Sequence, residues 1–143
     1  MRLSVITAMA LAALPASAQD LRPAPDYYID ALFSLTMAEA LAQSCSTMGM
    51  DLLAAGAATT ELQEKLIADG FDAEEPFAQM IDPAPVLRDL QTAFLIKHPD
   101  LNTPDEAKVC AAAQVELEEA TTIGRFLNAG VVGGTEPVEA DNE

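Results

Sequence analysis

The sequence predicts a small all-α domain: a bundle of three to four principal helices closed by one interhelical disulfide and preceded by a cleaved signal peptide. Three observations predict it. Apolar residues recur at i, i+3, i+4 and i+7 in several stretches, whereas strand-type alternation is absent and the β-branched residues are scattered. Proline and glycine separate those stretches at helix-length intervals. The chain has two cysteines, Cys45 and Cys110, behind what reads as an export signal, so one intramolecular pairing is available.

The export signal occupies residues 1–18. Arg2 supplies the positive start, residues 3–14 the apolar stretch, Pro15 the break, and Ala16-Ser17-Ala18 the small-x-small pattern that a signal peptidase accepts. Cleavage is expected after Ala18, which leaves Gln19 as the mature N-terminus. The apolar stretch falls short of the roughly 20 residues of a membrane span, and no second candidate follows. The expectation is a periplasmic, exported protein with no membrane insertion after cleavage and, lacking a cysteine at the cleavage site, no lipid anchor.

Losing Arg2 and no acid takes the formal charge from −16 to −17. A surface this acidic repels phosphate backbones and anionic lipid headgroups, both of which are bound through Lys and Arg. Nucleic-acid binding is therefore argued against, while a cationic ligand, peptide or metal ion remains compatible.

Residues 19–25 hold two prolines and no periodicity, and read as an extended lead-in to a helical domain at 26–130. The first helix opens at Pro25 or Asp26. Ile29, Leu32, Phe33, Thr36, Met37, Ala40, Leu41, Ser44, Cys45 and Met48 form its inner stripe, Asp30, Ser34, Glu39 and Gln43 its outer face, and Gly49 its end. Residues 50–58 fit helix or loop equally. Thr60 and Gln63 form a T-x-x-Q capping box that starts a helix ending at Gly70, with Leu62, Leu66, Ile67 and Phe71 as core contacts. Residues 72–75 offer another cap, followed by a short helix expected over 76–81. Asp82-Pro83-Ala84-Pro85 then breaks the chain, and Asp82 caps a helix over 86–97 that buries Leu87, Leu90, Phe94, Val86 and Leu95 before His98-Pro99 stops it. Thr103-Pro104-Asp105-Glu106 combines a capping threonine, proline at the first helical position and early acids, and opens the longest helical pattern, 103–128. Cys110, Ala113, Leu117, Ala120, Gly124 and Leu127 share one face of it. Residues 131–143 form an acidic tail too poor in apolar side chains to fold, so disorder is expected there.

No catalytic, cofactor-binding or metal-ligating set stands out. The single histidine, His98, sits at a helix end, and the serines beyond the signal, Ser34, Ser44 and Ser46, lack a nucleophile-elbow context. Too few His and Cys residues are present for zinc. The acid-rich stretches 69–75 and 100–106 lack the central Gly and distal Glu of an EF-hand and read as helix punctuation. No carboxylate pair is singled out for glycosidase chemistry, and Glu116, Glu118 and Glu119 read as a solvated helix face. Tyr27, Tyr28, Phe33, Met37, Met48 and Met50 can line a groove, although their helical spacing also fits plain core. Ala111, Ala112 and Ala113 suit close helix packing or a dimer seam, and the oligomeric state is left open.

Cys45, Cys110 and the run Thr121-Thr122-Ile123-Gly124-Arg125-Phe126-Leu127 resemble a group of small exported bacterial helical proteins of unknown function. In those a first long helix ends near a Cys, and the last carries a Cys followed by a similar Ile-Gly-containing end. The resemblance implies a helical periplasmic domain and no activity. A looser similarity in size, export, helicity and single disulfide is to periplasmic acid-stress chaperones of the HdeA type. The expected function is a non-enzymatic binding or interaction module, without cofactor, for a protein or small ligand. A pH-activated chaperone, which protonation of the carboxylates would loosen, and a small enzyme using carboxylates or a bound cation are the alternatives.

Overall fold

A computed structural model describes residues 21–72 and 74–130; the expected signal peptide with its expected cleavage residues Ala16, Ala18 and Gln19, and the acidic tail with its expected disorder, lie outside the described residues. The fold is all-helical, with four α-helices, and one small antiparallel ribbon that the sequence did not announce.

The lead-in is extended and held by Arg22, whose backbone pairs with Gln79 and Ile81. Its guanidinium donates to the carbonyls of Asp69 and Gly70, both at 3.0 Å, and lies 3.7 Å over the Phe71 ring. A cation is favoured there because those carbonyls end a helix.

Helix Asp26–Ser44 (α1) starts where the Pro25 carbonyl accepts from Tyr28 and Ile29. Its buried residues are Tyr28, Ile29, Ser34, Ala38 and Leu41, whereas Thr36, Ala40 and Ser44 are exposed, so the inner face is rotated from the expected stripe. Neighbours decide this: the small Ser34 and Ala38 let other segments approach α1 on a side that hydropathy marks as polar. The helix ends at Ser44, not at Gly49, and Cys45 is already extended. The chain turns into strand Met48–Met50 (β1), paired antiparallel with strand Leu127–Ala129 (β2). Strands of three residues each carry too little alternation to be read from sequence.

Residues 50–58 are mostly helix. Helix Leu52–Ala68 (α2) begins after Asp51, whose carboxylate accepts from the Ala54 N–H at 2.9 Å. The expected start at Thr60 is overturned: the earlier cap wins, and the Thr60 hydroxyl donates back to the Gly56 carbonyl from within the helix. Gly70, at φ +78°, ends α2 as expected, with Phe71 N–H bonded to Leu66 O and Gly70 N–H to Ile67 O. Leu66 and Phe71 are buried, but Ile67 is exposed. Asp72 accepts from Glu74 and Glu75, and only Pro76–Gln79 is helical thereafter, as a 3₁₀ turn.

Helix Ala84–Lys97 (α3) opens where Asp82 accepts from the Ala84 N–H. It buries Phe94 fully and Leu87 and Leu90 partly, and leaves Val86 and Leu95 exposed, because it packs through one narrow edge. A 3₁₀ turn, Pro99–Asn102, leads to helix Glu106–Glu118 (α4). Its cap is Asp105, accepting from Lys108 N–H at 2.9 Å, in place of the expected Thr103, whose carbonyl instead receives the Lys108 ammonium.

The continuous helix expected to Asn128 is overturned most clearly. It ends at Glu118, with Ala120 left-handed at φ +50° and Thr121 and Ala120 N–H groups bonded to Glu116 and Leu117 carbonyls. This is the hydrogen-bond pattern that Gly70 completes for α2, here with an alanine at the left-handed position. Folding back buries Ile123, Phe126 and Leu127, which offsets the strain. Ala120→Gly should therefore raise stability by about 1 kcal/mol, read as a higher urea midpoint with unchanged slope.

The chain descends through a 3₁₀ turn, Gly124–Phe126, packed directly on the end of α4. A Cβ on Gly124 would lie 1.8 Å from the Glu116 carbonyl oxygen. Backbone cannot move aside as a side-chain tip can, so Gly124→Ala should cost about 3 kcal/mol; a midpoint equal to that of the unmodified protein would refute the close approach.

Two apolar clusters result. The larger joins Ala38, Leu41, Cys45 and Met48 to Phe94, Ala112, Ala113, Ile123, Phe126 and Leu127. The smaller joins Tyr28 and Ile29 to Leu66, Phe71 and Met80 under the N-terminal lead-in. Cys45 and Cys110 are disulfide-bonded with Cα atoms 5.0 Å apart, tying the end of α1 to the middle of α4.

Candidate functional site

Three features hold the polar and apolar groups not consumed by simple packing. The first is a buried knot where α3 ends against α4. Glu116 was expected on a solvated face, yet it is 2% exposed. Its Oε1 takes hydrogen bonds from Lys97 Nζ at 2.8 Å and His98 Nε2 at 2.5 Å, and its Oε2 from the Thr121 hydroxyl. Thr121 Oγ1 in turn accepts from Gly124 N–H at 3.0 Å, and Lys97 also pairs with Glu119 at 2.7 Å. Burial pushes the Glu116 carboxyl up, but the hydrogen bonds from Lys97, Thr121 and His98 and the Lys97 charge together hold it below the ordinary glutamate range. Hydrogen bonds to Glu116 and Glu119 raise Lys97 above its ordinary value. The His98 ring, 7% exposed and 4.6 Å from Phe94, is enclosed by this arrangement. The knot is thus suited to locking α3 to α4, and His98 also borders a depression of about 150 Å³ lined by Lys97, Leu101, Lys108 and Val115 among others.

The second feature is a cleft of about 220 Å³ between α1 and α2, lined by Tyr27, Asp30, Ser34, Glu61, Lys65 and Arg125 among others. Lys65 and Glu61 pair across one helical turn at 2.7 Å. The Lys65 hydrogen bond is the main cause that lowers the Glu61 carboxyl. Tyr27 OH donates to Asp69 at 2.7 Å; burial, that hydrogen bond and the Asp69 charge push its phenol up to about 12. Arg125 lies 4.5 Å from the centre of the Phe126 ring.

The third is an apolar corner where β1 meets α2. Leu52 and Leu53, in the first turn of α2, are 77% and 86% exposed. Beside them run grooves lined by Ala42, Met48, Met50 and Leu52, with Glu39 and Glu106 at their margins.

Residues 23–128 match the model of a family described as "Family of unknown function (DUF5333)". The chain belongs to this family. No curated protein matches it, and no solved structure does either. The DUF5333 match runs from the lead-in to β2, and so takes in both cysteines, the knot, the cleft and the corner.

The positions singled out in this DUF5333 chain by sequence are dispersed. Cys45 and Cys110 meet as expected. Of the six aromatic and methionine candidates, Tyr28 and Met48 are buried, Phe33 and Met37 are partly buried against the larger cluster, Tyr27 lines the cleft and Met50 the corner. Ser34 is buried under the cleft, while Ser44 and Ser46 border the groove at the corner. The acidic stretches act as turns: Asp69 holds Tyr27, Asp72 its own loop, and Asp105 the start of α4. No group of three or more His, Cys, Asp or Glu among the described residues is placed to hold a metal ion. No helix of the described residues is long and apolar enough to cross a membrane. Sequence reasoning missed Glu116, Thr121 and Arg125. The one available signal for the first was its spacing, three and four residues after Ala113 and Ala112, which are buried on the same face of α4.

Proposed function

We propose that this chain is an exported, periplasmic and non-enzymatic interaction module, holding a partner through the corner where β1 meets α2. The observation that carries the reading is the pair Leu52–Leu53, two adjacent leucines almost wholly exposed beside a methionine-lined groove. Single exposed leucines are ordinary, but a contiguous apolar patch marks a contact surface. Methionines at its edge adapt to varied side chains. Glu39 and Glu106 at its margins, on a chain of net charge −16, favour an apolar partner segment flanked by Lys or Arg. Export is supported by the N-terminal signal and the disulfide, and the non-enzymatic assignment by a histidine engaged inside the Glu116 knot. Co-purification from the native envelope should recover a partner with the unmodified protein and lose it with a Leu52→Ser/Leu53→Ser variant of unchanged melting temperature. An identical set of co-purifying proteins for both would sink the reading.

One observation favours a second reading, the acid-stress chaperone. The Glu116 carboxylate that ties α3 to α4 sits where protonation would weaken the tie and uncover Phe94 and its neighbours. Light scattering of an acid-sensitive client at low pH tests it, and equal aggregation with and without the protein ends it.

A further inference from the structure

We propose that the cleft between α1 and α2 binds a free α-amino acid, its carboxylate on Arg125 and its ammonium group on Asp30. The cleft shares no lining residue with the corner used above, so either reading can fail alone.

Size comes first. At about 220 Å³ the cleft is smaller than the roughly 300–1,000 Å³ of sites for drug-sized ligands, and suits a small solute. Its charges come next. Two of its four charged residues, Lys65 and Glu61, form an ion pair, and the Arg125 charge also acts on Glu61. The other two, Asp30 and Arg125, have opposite sign and form no ion pair among the described residues.

Arg125 is also held ready. It lies against the Phe126 ring, itself 1% exposed and fixed in the larger core, which restricts the side chain before any ligand arrives. A planar guanidinium so placed matches a carboxylate with two parallel hydrogen bonds. Ser34, expected on the polar side of α1 by sequence, is 3% exposed and lines the cleft instead of facing open solvent. A second depression of about 230 Å³, lined by Ala54, Ala57 and Ala58, shares Glu61 and Arg125 with the cleft and offers apolar room for a side chain.

The same charges reject simpler ligands. A plain carboxylate gains Arg125 but meets Asp30, Glu61 and an acidic surface, and a plain amine meets Arg125 and Lys65. A zwitterion brings a charge of the opposite sign to each of Arg125 and Asp30, neither of which forms an ion pair among the described residues.

Calorimetry on the purified mature protein tests the assignment, with alanine, serine, leucine and glutamine as probes and propionate and propylamine as single-charge analogues. At least one amino acid should bind saturably at one site per chain, at least tenfold more tightly than either analogue. Arg125→Gln and Asp30→Asn should each weaken that binding about tenfold or more. Arg125→Lys, which keeps a cation over Phe126 and loses the fork, should weaken it as well, so a packing effect of the glutamine does not decide the outcome. Absence of binding by all four amino acids, equal binding of an analogue, or unchanged binding in the Arg125 and Asp30 variants would overturn the proposal.

Discussion

Glu116→Ala is expected to lower the free energy of unfolding by about 3 kcal/mol, in the range measured when one partner of a buried charged pair is removed. The loss has named parts. His98 Nε2 is left without its acceptor inside the fold, and the Thr121 hydroxyl loses the carboxylate and keeps only the longer contact to the Glu116 backbone carbonyl, at 3.4 Å. Lys97 loses one of its two carboxylates, but it is 39% exposed and keeps Glu119, so its share is small. Glu116→Gln retains the shape and one acceptor and should lose less than the alanine variant.

The pH dependence has a definite sign. Because Glu116 is held below its ordinary range when folded, its contribution is present above the ordinary glutamate value of about 4.3 and disappears as pH falls through the lower folded value. Lys97 is raised, so its contribution is present below its ordinary value and is lost only as pH climbs through the folded one. Urea midpoints measured from pH 7 down to 3 should therefore drop below about pH 4 in the unmodified protein. That drop should be shallower in Glu116→Gln. Parallel curves for the two proteins would remove Glu116 from the account.

The second large effect is at the bridge. Cys45 and Cys110 are 65 positions apart, and closing such a loop restricts the unfolded chain by about 4 kcal/mol in the chain-entropy treatment. Against a total of about 5–15 kcal/mol for a domain, Cys45→Ala/Cys110→Ala should leave a much less stable protein. The matching measurement is a urea titration of the unmodified protein with and without reductant. Reduction should shift the midpoint by an amount close to that of the double variant, and an unmoved midpoint in both would show that the bridge adds no stability. Non-reducing mass spectrometry of the purified protein should find the two cysteines joined.

How legible the molecule was depends on the range of the interaction that decides each part. Gly70 was readable as a helix end, since a left-handed residue after a helix is a local requirement. Ala120 plays the same role and was unreadable, because nothing in its own neighbourhood asks an alanine to turn left-handed. What asks it is Phe126, Ile123 and Leu127 reaching the core shared with α1. The start of α2 shows a competition at short range: the Thr60 capping box was legible, yet Asp51 caps the helix and Thr60 lies inside it.

The candidate sites follow that division. The cysteine pairing needed only a count and an export signal. The Glu116 knot joins side chains 18 and 19 positions apart across a 3₁₀ turn, and no periodicity within α4 reports what α3 places opposite it. The cleft depends on Arg125 lying beside α1 and α2, which in turn depends on the chain folding back after Glu118.

By itself, then, the sequence determined the helical class, the breaks at the prolines and Gly70, the Asp82 start of α3 and the single disulfide, since each is settled within a few residues or by elimination. Tertiary structure alone decided that α4 stops at Glu118, that β1 and β2 pair, that Ser34 and Glu116 are buried and that Arg125 faces Asp30's cleft. The physical reason is that burying Ile123, Phe126 and Leu127 outweighs the local preference of residues 119–128 to continue as helix, and that preference was the only one the sequence could express.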